Sequence, residues 1–283
     1  MFLLIGYVVV LLSSVGTYAI HGNVAALWVP NEYAAILGLG IGGLVAGNGS
    51  RAIKHTLKAL PGILKGSKHN KAFYMDALCL MYELLSKVRK EGLMSIEQDV
   101  ENPGSSPFFS KYPTIAADHH VVDFITDYLR MMVGGNLNSM EIEGLMDQEL
   151  EVHHHELHEP SHIMQTMADG MPAFGIVVCV MGVVNTMGSV GEPPAVLGKM
   201  IAGALVGTFL GILVSYGFVA PIASQLGQIA EHEGRIFTCI KAVLLASMNG
   251  YAPQVAVEFG RKVLEADDRP TFQELEAELK NHK

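Results

Sequence analysis

Four stretches of this chain run without a charged side chain for the roughly twenty residues that a hydrocarbon layer of about 30 Å demands. They are residues 2–20, "YAAILGLGIGGLVAGNGS" between Glu32 and Arg51, residues 170–191, and "MIAGALVGTFLGILVSYGFVAPIASQL" after Lys199. Elsewhere the apolar residues recur at helical spacing. "YMDALCLMYELLSKVRK" carries Tyr74, Leu78, Met81, Leu85 and Val88 on one face, and Gly92 stands where that helix would stop. "SIEQ" from Ser95 has the form of a capping box for a short helix, and "ENPGSSP" must turn. "DHHVVDFITDYLRMMVGG" reads as a second amphipathic helix closed by glycines, and "NSMEIEGLMDQELEVHHHELHE" starts a third that runs toward the third span. The tail breaks at "NGYAP", and Thr271 to Glu274 caps a last helix.

Basic residues orient these spans. Arg51, Lys54, Lys58, Lys65, Lys68 and Lys71 follow the second span with no acid before Asp76, whereas the other connectors hold only Lys199. By the positive-inside rule the loop and both termini are cytoplasmic. The first span lacks the basic n-region of a signal peptide and its apolar run is too long for one. The pattern therefore predicts an all-α membrane protein with four transmembrane helices and a large cytoplasmic helical domain. Residues 1–50 hold the first two spans, 51–165 a cytoplasmic helical loop, 166–224 the third and fourth spans, and 225–283 a cytoplasmic helical tail.

Composition agrees: half the residues are hydrophobic and only 17% charged, with a net charge of −9. Cys79, Cys179 and Cys239 are far apart and form no CxxC pair, so neither a disulfide framework nor a thiolate metal site is indicated. The spans themselves lack Asp, Glu, Lys and Arg, the usual mark of an ion path. Either the protein conducts nothing, or a partner supplies the acid. Gly38/Gly42, Gly43/Gly47 and Gly203/Gly207/Gly211 fall four apart, a spacing for close helix packing either within one subunit or between subunits. Pro172 near the start of span three reads as a first-turn proline or a hinge, and Pro221 has helix on both sides and should kink it. Thr208 is the best polar group in mid-membrane; a lone Thr there bonds its own backbone or lines a path. "EVHHHELHEPSH" gathers five histidines, of which His154 and His158 share a helix face, and it reads as a solvated acidic helix with no metal.

Several long segments are similar in order to the A subunits of the bacterial flagellar stator, the MotA family: "RAIKHTLKALPGIL", "SIEQDVENP", "MPAFGIVVCVMGVV", "VGTFLGILVSYGFVAP", "MNGYAPQVAVEFGRK" and "RPTFQELE". The resemblance implies a homo-pentamer of A subunits around two B subunits in the bacterial inner membrane. Each B subunit has one transmembrane helix, a membrane aspartate and a peptidoglycan-binding domain. On the matching positions, Pro172 and Pro221 couple ion passage to movement, Thr208 lines the ion route, and Arg89 and Glu97 meet the rotor switch-ring protein. Cys179 stands where sodium-driven relatives carry a threonine, and sulfur suits a hard cation poorly, so protons are the expected coupling ion. No cofactor, nucleic acid or enzymatic activity is implied. The rival readings are an energy-coupling subunit of the TolQ/ExbB type, which has three spans, and a membrane metalloenzyme using the cluster at His153 to His162.

Overall fold

A computed structural model describes residues 2–66, 68–135 and 138–281, and every regular element among them is helical. The Lys65 side chain, counted above in the basic run, lies outside the described set. The helices are α1 (Phe2–His21), α2 (Pro30–Gly47), α3 (Ser50–Ala59), α4 (Lys71–Glu91) and α5 (Glu97–Glu101). They continue with α6 (His119–Gly134), α7 (Ser139–Met187), α8 (Pro194–Met248), α9 (Pro253–Lys262) and α10 (Phe272–Asn281). Helices α1, α2, α7 and α8 are long and apolar enough to cross a membrane, as the hydropathy pattern predicts. Two short π-helical turns interrupt regular α geometry, at Leu12–Gly16 in α1 and at Ser215–Val219 in α8.

The chain forms two compact units, residues 1–66 with 158–229 and residues 67–157 with 230–283. Their edges lie at 66, 157 and 229, whereas the sequence boundaries of 50, 165 and 224 follow the ends of the apolar stretches. In the first unit Ile36, Met164, Ala168, Met171, Val178, Leu210, Val219 and Leu226 form the core. Its remaining apolar surface is large: no residue in the apolar window of α1 is buried, and Ile41, Val45, Ile176, Val180 and Leu205 are exposed. Such a surface is stable facing lipid or another subunit, not water.

The second unit is built like a soluble helical domain. The α4 face read from the sequence is its centre, with Tyr74, Leu78, Met81 and Leu85 each 1% exposed. They pack with Ile125, Leu129, Ile240, Val243 and Val257. Helix ends follow local chemistry: Asn70 caps α4 by accepting from Phe73 N, and Asp118 caps α6 by accepting from Val121 N. The α10 capping box forms as expected, Glu274 N donating to Thr271 Oγ1 at 3.2 Å and Thr271 N to Glu274 Oε2 at 2.7 Å. Gly92, Gly135 and Gly250 end their helices at φ of +90°, +72° and +86°, the region that favours glycine.

Three expectations need correction. Pro172 does not open a helix, because α7 begins at Ser139 and carries both Pro160 and Pro172 in its interior. No capping box forms at Ser95: the chain enters a 3-10 turn at Leu93–Ile96, and the Ser95 hydroxyl donates to the Gly92 carbonyl instead. Glu32, placed outside span two by the sequence, lies in the first turn of α2, since Pro30 already starts that helix. A β-carbon built on Gly182 would sit 3.8 Å from its Oε1.

Candidate functional site

Pro172, Cys179, Thr208 and Pro221 fall on α7 and α8 within the first unit, and these two helices approach at backbone distance. A β-carbon built on Gly175 would lie 2.8 Å from the Gly207 carbonyl oxygen and 3.0 Å from Gly211 Cα. One built on Gly211 would lie 2.8 Å from both Gly175 Cα and the Met171 carbonyl oxygen. Higher on the pair, a β-carbon on Gly182 would meet that of Ala204 at 2.7 Å. Such contacts exclude any side chain larger than hydrogen, which is how membrane helices gain dispersion contact without a hydrophobic drive. Gly207 and Gly211 thus pack within the subunit, whereas Gly38, Gly42, Gly47 and Gly203 have nothing within 4 Å. Gly175 and Gly182, absent from the sequence reading, are the partners on α7.

Cys179 and Thr208 stand at one level of this pair, because a β-carbon on Gly207 would lie 3.3 Å from Cys179 N. Both are half-buried. Thr186 donates to its own helix, to the Gly182 carbonyl at 2.9 Å, but the Thr208 hydroxyl makes no hydrogen bond with the described residues. It remains available to water or a partner.

Hydroxyls from neighbouring helices bond backbone carbonyls close to both prolines. Pro172 has no N–H for the Ala168 carbonyl four residues earlier. That carbonyl instead accepts from the Ser215 hydroxyl at 2.6 Å, and Ser215 is 0% exposed. Membrane helices tolerate proline where such a hydroxyl restores the missing donor. Ser215 also opens the π-helical turn that leads into Pro221. Within that turn the Tyr7 hydroxyl donates to the Phe218 carbonyl at 2.8 Å, with the two rings 4.9 Å apart. Beyond it the Ser161 hydroxyl donates to the Ala223 carbonyl at 2.8 Å. The two proline sites are therefore linked through Ser215. Sequence reasoning missed Ser215, Tyr7 and Ser161; for Ser215 and Tyr7 the available signal was a hydroxyl in an otherwise apolar helix.

Arg89 and Glu97 lie apart from these groups, in the second unit. Arg89 is exposed on the last turn of α4 and Glu97 is exposed at the first position of α5. Neither forms an ion pair among the described residues. Of the histidine run, His153 turns inward against Phe237, ring centroids 4.4 Å apart, with His120 at 6.0 Å. Burial first, and then the His120 charge, hold its pKa below the ordinary histidine value. His154 points elsewhere, exposed, with Nε2 3.9 Å from a Glu231 carboxylate oxygen.

Residues 4–92 match the family described as Motility protein A N-terminal, and residues 116–238 match the MotA/TolQ/ExbB proton channel family. The chain is similar to Motility protein A of Escherichia coli, 48% identical over 281 residues, 99% of this chain and 95% of that one. It is 34% identical over 255 residues to chemotaxis protein LafT of Vibrio parahaemolyticus, covering 90% of each chain. Among solved structures, the C. jejuni MotAB structure matches with a TM-score of 0.75 at 19% identity, covering 95% of this chain and 98% of that one. The flagellar MotAB stator complex from Bacillus subtilis matches with a TM-score of 0.73 at 23% identity, covering 94% and 96%. At those identities the two structures speak to the fold alone.

Proposed function

This chain belongs to the MotA/TolQ/ExbB proton channel family and is a membrane-embedded stator subunit of the flagellar motor, and we propose that it borrows the titrating acid of its ion path from a partner chain. The observation that carries this reading is the chemistry of α7 and α8. Residues 170–191 and 200–230 contain no Asp, Glu, Lys or Arg, yet hold the hydroxyl of Thr208, the thiol of Cys179 and two proline sites. The partner is a B subunit with one transmembrane helix, a membrane aspartate and a peptidoglycan-binding domain, enclosed by five copies of this chain in the inner membrane. Both termini and the second unit face the cytoplasm, in keeping with the basic residues that follow α2.

A carboxylate buried between apolar helices has a raised pKa, because desolvation disfavours its charge. Proton uptake from outside and release inside would switch that charge beside Pro172 and Thr208. Each elementary charge crossing the membrane supplies about 2.3 kcal/mol per 100 mV. The link from Pro172 through Ser215 toward Pro221 offers a route by which a change at one proline reaches the other. Arg89 and Glu97 then bear on complementary charges of the rotor. Exposed ion pairs contribute only about 0–1 kcal/mol each, which suits a contact that must release at every step. Protons fit the sulfur of Cys179 better than sodium does.

The test is to express the chain with its B partner in motile cells and measure swimming. Speed should survive removal of the sodium gradient and collapse with a protonophore. Proton transport by the chain alone in liposomes would sink the borrowed-acid reading.

A further inference from the structure

We propose that Lys87 and Asp99 are positioning residues that hold the exposed pair Arg89 and Glu97 in a fixed presentation; the inference rests on the rotor-facing reading above. Asp99 is buried, 6% exposed, although it lies only two residues beyond exposed Glu97. Both of its oxygens are held. Lys87 Nζ donates to Oδ2 at 2.9 Å and the Ser106 hydroxyl donates to Oδ1 at 2.8 Å. Ser106 is itself 2% exposed and accepts from Phe108 N at 3.2 Å, which fixes it at a helix start. Lys87 Nζ also lies 5.3 Å from the centre of the Phe108 ring, with Lys111 Nζ 5.8 Å from the same ring. Lys111 in turn donates to buried Glu83 at 2.7 Å, and the Tyr112 hydroxyl donates to the other Glu83 oxygen at 3.1 Å. Two buried carboxylates are thus each tied to a lysine, and both lysines lie close to the Phe108 ring.

Helix geometry turns this anchor into an orientation. Successive helical residues advance by about 100°, so positions two apart point roughly opposite ways. Asp99 pinned inward directs Glu97 outward on α5, and Lys87 drawn toward Asp99 directs Arg89 away from it on α4. The covalent connection between α4 and α5 turns at Gly92, φ +90°, and passes through the 3-10 turn Leu93–Ile96, whose Ile96 sits in the core with Val100. The Lys87–Asp99 bond spans that glycine joint. It adds a polar tie, beside the apolar seat of Ile96 and Val100, at the level of the two exposed groups.

The experiment uses the intact stator with its partner in motile cells. Stall torque and membrane abundance are measured for Lys87→Met and Lys87→Arg, alone and with Glu97→Gln. Lys87→Met should lower stall torque by about twofold or more at normal abundance, and Lys87→Arg should restore most of it. In the Glu97→Gln background, itself a partial loss, Lys87→Met should cost proportionally less, because one of the two groups it positions is gone. Undiminished torque in Lys87→Met, or the same proportional loss in both backgrounds, overturns the proposal. Should Lys87→Met reduce abundance, the swapped pair Lys87→Asp with Asp99→Lys takes its place, and failure to restore torque at recovered abundance also overturns it. Full torque in both Arg89→Ala and Glu97→Gln would instead refute the rotor-facing reading itself, an outcome separable from the others.

Discussion

Replacing Gly211 with alanine isolates the energy of the α7/α8 contact. The added methyl would sit 2.8 Å from Gly175 Cα, 2.8 Å from the Met171 carbonyl oxygen and 3.1 Å from Gly175 N. All three are backbone atoms, so no side chain can rotate aside, and the helices must separate until carbon contacts return to about 3.5–4.0 Å. Forced overpacking of this kind costs about 1–3 kcal/mol. Alanine also favours a helix over glycine by about 1 kcal/mol, which would mask part of the loss. Gly203→Ala removes that ambiguity: it lies on the same helix, gains the same propensity, and its β-carbon meets nothing within 4 Å. The difference between the two variants should therefore be about 1–3 kcal/mol, a factor of roughly 5 to 150 in the unfolding equilibrium. Reversible unfolding of the purified chain in mixed micelles measures it. Equal stability of Gly211→Ala and Gly203→Ala would show that α7 and α8 do not approach at backbone distance.

Three further outcomes follow from single side chains. Ser215→Ala should destabilise the chain by about 0.6–1.7 kcal/mol in the same assay, since it leaves the Ala168 carbonyl without its donor; an unchanged midpoint would mean that Pro172 needs no such help. Because the folded protein holds the His153 pKa below its unfolded value of about 6.5, the unfolded state binds the proton more readily. Stability is then full above that value and declines as pH falls below it, and His153→Phe should flatten the decline in unfolding curves taken between about pH 5 and 7. Burial pushes the Cys79 and Cys239 thiols up to about 12, so maleimide at neutral pH should modify them only after denaturation, as mass spectrometry of tryptic peptides would report.

The spans, the glycine stops after α4 and α6 and the buried face of α4 were legible because each is a local pattern: apolar length, a φ that favours glycine, helical spacing. The proline sites were legible as positions but not as geometry. A proline near the start of an apolar run reads as a first turn, whereas α7 continues through Pro172, with the Ala168 carbonyl accepting from the Ser215 hydroxyl of a helix distant in sequence. Gly175 and Gly182 are spaced by seven, two helical turns, and a search for pairs four apart passes over them. At Ser95 the local code was present but lost to its neighbour, because Gly92 turns the chain so that the hydroxyl finds a carbonyl rather than an amide. The burial of Asp99 beside exposed Glu97 depends on Lys87 and Ser106, which no short window brings together.

The π-helical turn at Ser215–Val219 also bears on which length changes the chain tolerates. Such a turn holds one residue more than a regular one. Removing a residue there lets the strand of hydrogen bonds close as ordinary α-helix, with everything downstream keeping its azimuth. The same excision a turn earlier or later would rotate the remainder of α8 by about 100° and unseat every side chain beyond it. Among sequences of differing length, this is the place in α8 where a missing residue does the least harm.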